Sequence, residues 1–516
     1  MNRFAEDVWR LSVGGRVVLW HARTGRHVAL SPAVLSSLEQ WMPGAATPPG
    51  LQVLVRRLDQ LHFFQESVQP DLSQLRPARA RRVLLFPAHR ELWLPLPRVH
   101  TTGGFAYASR TLSDTEVSLW RACNGSRTVA RVAEMVGTTS EAALAFFAEL
   151  TDPRLQALQL RDQPISARNI ALLHLVAADR PPAARPGHLL GPAGETTLEH
   201  YHVHEIVDGE THFDDRETTI AHAFAVPHPA LGGARYGARL HAVMSERGLL
   251  PDDTGVTLEI GPGDGELGES WLEQSAKSGQ RRGEYLRLDQ SPELLRTQKS
   301  RQPGTAGILG TATDIPLPDG SVQLVICNEV IADLTAVPHD ANDPDPVGSA
   351  QEVAARMQQY CIPQQEGRAL YNLGAWKLLE ELSRILKPGG VAWLSEFGGL
   401  ETTPEETLQL DHPEVSIHFG HLCLVARALG LKAECVPLAS FMEFDLQAMW
   451  LSRHSHEALR ARFRSEGSTL RARAWTPQTL PLPWPVEGLE WVPVSDNGPG
   501  PLVTRFMALL LRKPFS

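Results

Sequence analysis

The sequence contains no run of about 18 or more apolar residues, and its opening segment MNRFAEDVWR has no apolar core. Neither secretion nor membrane spanning is expected, which leaves a cytoplasmic protein. The five cysteines, Cys123, Cys327, Cys361, Cys423 and Cys435, are scattered and never spaced as CxxC, so neither a disulfide framework nor a structural zinc site is expected. They read as core thiols. The first hundred residues hold no lysine; 13 arginines stand there against 7 acidic residues, a balance of +6. The whole 516-residue chain has a formal net charge of −10, so the remainder carries −16. An acidic body does not suit phosphate backbones, and nucleic acid is not an expected partner; an acidic cleft would instead attract a cationic substrate. With 42% hydrophobic residues, 41 glycines and 39 prolines, the composition is that of a globular chain of two or three domains.

The front of the chain alternates apolar and polar residues in RLSVGGRVVLWHARTGRHVALS, with Gly14-Gly15 and Thr24-Gly25 as turns, which predicts an antiparallel meander. Helical spacing follows in SPAVLSSLEQWM, with Ser31 as cap and Pro32 in the first turn, and in LQVLVRRLDQLHFF. The order of strands then helices recurs over 93–161, predicting two winged-helix-like α+β domains, 1–78 and 83–178, joined by the basic hinge RPARARR. The Pro-, Gly- and Ala-rich stretch 180–195 marks a domain boundary. Beyond it, over 196–516, the strand patterns VTLEI, EYLRLD, VQLVICN, GVAWLSEF and LKAECV alternate with helical ones. This is the pattern of a doubly wound, Rossmann-like α/β domain. TRFMALLLRKPF is expected as a late strand at the sheet edge.

In VTLEIGPGDGELG, Gly261, Gly263 and Gly265 lie between a predicted strand and a helix, where backbone N–H groups of a doubly wound sheet face a ligand. A second strand ends at Asp289, placed to accept bonds from ribose hydroxyls, with Gln290 beside it. The cluster His200, His202 and His204 shares one strand face but has no fourth ligand at recognisable spacing, so a solvated face is expected rather than a metal site. The acidic, proline-rich DANDPDPVGSAQEV reads as a loop, either solvated or facing the substrate.

With Glu259 ahead of a GxGxG loop, the segment resembles motif I of the class I S-adenosylmethionine-dependent methyltransferases. ATDIPLPDGSVQLVICNE and ILKPGGVAWLSEF agree with that resemblance. It implies S-adenosylmethionine as cofactor, with Glu259, Gly261, Gly263, Gly265, Asp289, Gln290, Asp314 and Asn328 around it and Asp314 near the adenine. EIGPGDGELG, YLRLDQSPELLRTQKSR, VICNEVIADL and EVSIHFGHLCLVARALGL look like successive blocks of the MidA-like family, whose mitochondrial relatives methylate a protein arginine; THFDDRETT resembles the preceding block. The family pattern Asn-Glu-x-x-Asp departs here, because Asn328-Glu329 is followed by Ala332-Asp333. Glu329 is matched, and the part played by Asp333 stays open.

Methyl transfer is an in-line displacement that needs positioning and no metal. A guanidinium stays protonated and presents a planar fork, which carboxylates bind bidentately. Glu329, Asp333 and Glu396, each expected just beyond a strand end, are therefore the candidate catalytic carboxylates, and the resemblance, through the family's histidine-bearing loop matched by SIHFGHL, implies His418 as a proton acceptor or a donor-site contact. The front segments resemble the RiPP recognition element, a small peptide-binding domain, and imply a leader-bearing precursor peptide as partner; a homodimer is left open. The favoured expectation is a peptide arginine methyltransferase. A docking or assembly factor, and a small-molecule methyltransferase with structural front domains, are the alternatives.

Overall fold

The computed structural model describes residues 4–5, 8–13, 16–21, 26–41, 47, 50–64, 71–79, 83–95, 107–151, 157–161, 206, 208–215, 218–250, 255–279, 283–343, 345–409, 412–496 and 498–515. The histidines 200, 202 and 204, the stretch 180–195 and the turns Gly14-Gly15 and Thr24-Gly25 lie outside them. The chain folds as two compact units. The first is Met1–Ala184 with Glu457–Ser468 and Pro481–Glu490; the second is Arg185–His456 with Thr469–Leu480 and Trp491–Ser516.

The first unit opens on the expected meander, β1 (Val8–Val13), β2 (Arg16–His21) and β3 (Arg26–Leu30), paired antiparallel in that order. Helices α1 (Pro32–Gln40) and α2 (Gln52–Gln60) follow, and Ser31 caps α1 by accepting from the Val34 N–H. The expected basic hinge is described only over Arg76–Arg79; residues 80–82 lie outside the described residues. Arg76–Arg79 forms a strand, β4, because its carboxyl-terminal partner β8 (Leu158–Arg161) lies alongside and the Arg79 guanidinium covers the Trp120 ring. Between them run β5 (Leu84–Phe86), β6 (Glu91–Pro95) and β7 (Tyr107–Thr111), then α3 (Asp114–Ala122), α4 (Val129–Val136) and α5 (Ser140–Leu150). Strands again precede helices, as the sequence pattern predicts. The late segments complete this unit: Arg121 pairs with Glu487, and the buried Arg462 guanidinium lies within 5.7 Å of the ring centres of Phe86, Trp93 and Trp484.

The second unit is α/β. Its strands are β9 (Val256–Ile260), β10 (Glu284–Asp289), β11 (Ala306–Leu309), β12 (Val322–Asn328), β13 (Val337–Asp340), β14 (Arg368–Tyr371), β15 (Leu386–Gly399), β16 (Glu406–Gln409), β17 (His412–Val415), β18 (Ile417–His418), β19 (Lys432–Pro437), β20 (Met449–Leu451), β21 (Trp491–Pro493) and β22 (Phe506–Arg512). The main sheet runs β11-β10-β9-β12-β15-β22-β19, parallel except for β22, which is antiparallel to both neighbours. Thus TRFMALLLRKPF is not at the edge. Its unbroken apolar run is buried on both faces between β15 and β19, and the half-exposed β19 forms the border. Two apolar layers cover the sheet, one around Trp376 and Phe419, the other around Trp393 and Phe441.

The acidic insertion is not wholly loop. β13 and β14 pair across it, and Ser349–Tyr360 is a helix fastened where Arg356 bridges Glu352 and Glu380. The expectation of core thiols holds for Cys123 and Cys327, but Cys361 is exposed at that helix's end. Among the described residues no helix is long and apolar enough to cross a membrane.

Candidate functional site

β9 ends at Ile260 and the helix Glu266–Lys277 begins six residues later, so the glycine loop bridges strand and helix. Gly261 and Gly263 have φ of +61° and +58°, a region that side chains disfavour. A Cβ on Gly261 would sit 2.4 Å from Val330, and one on Gly263 2.9 Å from the Phe213 ring. The loop thus leaves bare backbone against an open cavity at the carboxyl ends of the parallel strands.

Of the residues expected around the cofactor, Glu259, Gly261, Gly263, Asp289, Gln290 and Asn328 line this cavity, together with Glu329 and Asp333. Asp289 closes β10; its carboxylate accepts from the Ser291 N–H at 2.9 Å and from Gln298 Nε2 at 2.7 Å. Glu259 is buried and accepts from the Tyr285 hydroxyl at 3.0 Å. Burial pushes its pKa up to about 7, against the opposing pull of Tyr285 and Arg287.

Four expected residues are placed elsewhere. Gly265 caps the helix, its carbonyl accepting from Gln302. Asp314 is exposed, and Thr311 and Ala312 line the cavity in its stead. Glu396 lies within β15 rather than beyond it, opposite Met507, and its carboxyl accepts from the N–H groups of Ala332 and Phe397. Burial, reinforced by Glu414, Glu329 and Asp333, pushes its pKa well up. His418 caps the helix Phe419–Ala428, its Nδ1 accepting from the His421 N–H while the two rings stack at 3.5 Å. A capping Nδ1 is already committed as an acceptor, and burial lowers the His418 pKa.

Glu329 is held most closely. Its φ is +54°, a conformation that costs a non-glycine residue of the order of 1–2 kcal/mol. Its N–H donates to the Ser395 carbonyl at 2.9 Å, and its Oε1 accepts from the Ile220 N–H at 2.8 Å and Asn328 Nδ2 at 2.9 Å. Asn328 is itself oriented, because its Oδ1 accepts from the hydroxyls of Tyr236 and Ser395. These bonds offset the strain and aim the carboxylate.

Sequence reading missed the front wall of the cavity, Phe213, Thr219 and Ala221. Behind that wall His222 bridges Asp214 and Asp264. The only signal was the acid- and histidine-rich stretch around THFDDRETTIAH. Among the described residues no group of histidine, cysteine and carboxylate side chains is arranged to hold a metal.

Residues 258–352 match a family model described as a methyltransferase domain. No curated protein matches the chain. Among solved structures the chain is similar to an uncharacterized superfamily protein from Burkholderia thailandensis, at 16% identity over 58% of this chain and 82% of that one, with a TM-score of 0.37. A member of the same superfamily from that organism, bound to S-adenosyl-homocysteine, is 16% identical over 55% and 77%, with a TM-score of 0.35. A SAM-dependent methyltransferase from Methanosarcina mazei is 12% identical over 53% and 98%, at 0.26. The glycine cradle, the acid closing the second strand and the matched segment coincide, and the chain carries a methyltransferase domain whose cofactor is S-adenosylmethionine.

Proposed function

We propose that this protein is a peptide methyltransferase that captures a ribosomally synthesised precursor through its first unit and methylates an arginine guanidinium of the core peptide. One observation carries the reading. Glu259, Asp264, Asp289, Glu329 and Asp333 all line the cavity, and no lysine or arginine does so among the described residues. Such a lining favours cations, and a cationic donor accounts for only part of it. When bound, S-adenosylmethionine supplies an electrophilic methyl carbon on a sulfonium.

The chain's own residues supply position and charge. Glu329, its plane fixed by Ile220 and Asn328, binds a guanidinium fork and stabilises its charge as the nitrogen attacks, while Asp333 lies on the same wall. The proton displaced from the alkylated nitrogen passes to a carboxylate of this pair. In the first unit the outer strands β1 and β3 each pair with β2 alone in the described sheet, which offers an edge to an added leader strand.

Co-expression of the full chain with a peptide encoded beside it tests the reading by intact mass and fragmentation. A mass gain of one or more methylene units, localised to arginine, is expected; methylation of another residue type, or none, would overturn it. Removing the leader should raise KM while leaving kcat near its original value, because leader contacts bind ground and transition states alike.

A further inference from the structure

His222 sits behind the cofactor cavity with both ring nitrogens engaged. Nδ1 is 2.9 Å from Asp264 Oδ2, and Nε2 is 2.8 Å from Asp214 Oδ1, in a ring with no exposed surface. Asp264 belongs to the glycine loop and also caps the following helix through the Glu266 N–H. Asp214 lies in the last turn of the helix Gly209–Asp215, which carries Phe213, whose ring lines the cavity and lies over Gly263. The imidazole therefore ties the floor of the donor cradle to its front wall.

We propose that His222 is a positioning residue for the donor, holding the glycine loop and the Phe213 helix in the relative placement that S-adenosylmethionine needs. The inference concerns donor binding alone and stands whatever the acceptor is.

Charge around the ring fixes its protonation. From the segment ahead of Trp475, Ala472 N–H donates to Asp214 at 2.7 Å, and Arg473 donates to the His222 carbonyl at 2.9 Å and to Glu266 at 2.8 Å. From the helix Pro292–Arg301, Arg301 reaches Glu266 at 3.0 Å and Asp264 at 3.7 Å. Glu269, 3.9 Å from Arg301, has its own partner in Arg235, and Arg471 adds a more distant positive charge. Asp214, Asp264 and Glu266 thus face Arg301, Arg473 and the imidazole. The cluster closes to neutrality only when His222 carries its second proton, and a neutral ring would turn a lone pair toward one carboxylate.

Burial works to lower the His222 pKa, and Arg473 works the same way, but the two aspartates outweigh both and hold it above the ordinary histidine value. Asp214 is held down to about 2, despite burial, by His222, Ala472 and Arg473. The sign follows. A group with a raised folded pKa contributes fully below its unfolded value, about 6.5, and the contribution is lost as pH rises through the folded one. The clasp holds below the folded pKa and loosens as pH rises through it.

Calorimetric titration of the full chain with S-adenosylhomocysteine tests this, with pH stepped from neutral to alkaline. His222→Gln, checked for folding by circular dichroism, should raise Kd at neutral pH by at least about tenfold, within the usual span of coupling between sites. Wild-type affinity should weaken toward alkaline pH. Asp264→Asn lets a neutral ring bridge, its amide nitrogen donating to His222 Nδ1 while its oxygen keeps the Glu266 N–H, and should abolish that alkaline weakening. The second variant decides the matter where the first does not fold. A folded His222→Gln protein with wild-type Kd, or an Asp264→Asn protein with the wild-type pH profile, overturns the proposal.

Discussion

Gln298 donates to Asp289 at 2.7 Å through the same amide nitrogen that donates to the Gly263 carbonyl at 2.9 Å. One side chain thereby joins the acid that closes β10 to the glycine loop. Gln298 is fully buried, so its loss leaves both acceptors short of a donor and opens space beside them. Gln298→Ala should weaken S-adenosylhomocysteine binding by about 1–2 kcal/mol, and Asp289→Ala by about 1.5–3 kcal/mol, the range for hydrogen bonds involving a charged group. Titration calorimetry on folded variants decides; equal affinity in both would detach Asp289 from the donor.

Glu259 makes stability depend on pH in the direction opposite to most carboxylates. Burial raises its folded pKa to about 7, so the native state holds a proton that the unfolded chain releases near the ordinary value of about 4.3. Stability therefore falls as pH rises between these values, and the loss is complete above the folded one. Glu259→Gln retains an acceptor for Tyr285 and removes the charge. Without donor, the glutamine variant should be the more stable protein at pH 8 by up to about 3 kcal/mol, with the gap closing near pH 4. Denaturant titrations of both proteins across that range measure it.

The parts of this molecule legible in sequence are those set by local pattern. The glycine loop, Asp289 at the end of β10 and Asn328 at the end of β12 lie where strand periodicity and turn residues put them. The His222 clasp was not legible, because its partners come from positions 8 and 42 residues away and its surrounding charges from as far as Arg473, 251 residues downstream. No spacing rule joins such positions; only the fold does. The placement of β22 was misread although a signal was present. Six consecutive apolar residues, Phe506–Leu511, suit a strand buried on both faces better than one at a border. Glu396 was misjudged by strand length, since β15 runs on to Gly399 and carries that side chain into the core.

Arg462 shows why a clean deletion cannot test the first unit. Its guanidinium, 8% exposed as a residue, lies over Phe86, Trp93 and Trp484 and pairs with Glu466 at 2.7 Å and Glu91 at 3.4 Å. Removing residues 1–180 would strip the partners from Glu457–Ser468 and Pro481–Glu490. A fragment ending at residue 184 would likewise uncover Phe86 and Trp93. Arg462→Ala should destabilise the first unit by about 2–4 kcal/mol through lost cation–π contact and an unpaired Glu91. Arg462→Lys should recover only part, since an ammonium lacks the planar face. Thermal unfolding followed by tryptophan fluorescence reads both, and a wild-type melting curve for Arg462→Ala would refute the argument.

Glu329 gives the sharpest test of the proposed chemistry. It holds a left-handed backbone, and its Oε1 is fixed by the Ile220 N–H and the Asn328 amide. Glu329→Gln preserves size, retains a carbonyl oxygen for those two donors and removes the negative charge. If that charge aims the guanidinium and stabilises it as the nitrogen attacks, kcat on the precursor should fall by at least about 10²-fold, near 2.7 kcal/mol. Donor affinity should stay within about twofold, since the bonds shaping the cradle are kept. A variant with near-normal kcat would remove Glu329 from the transition state. A variant losing donor affinity and kcat together would assign it to donor binding instead, because only an interaction specific to the transition state lowers kcat while leaving donor affinity alone.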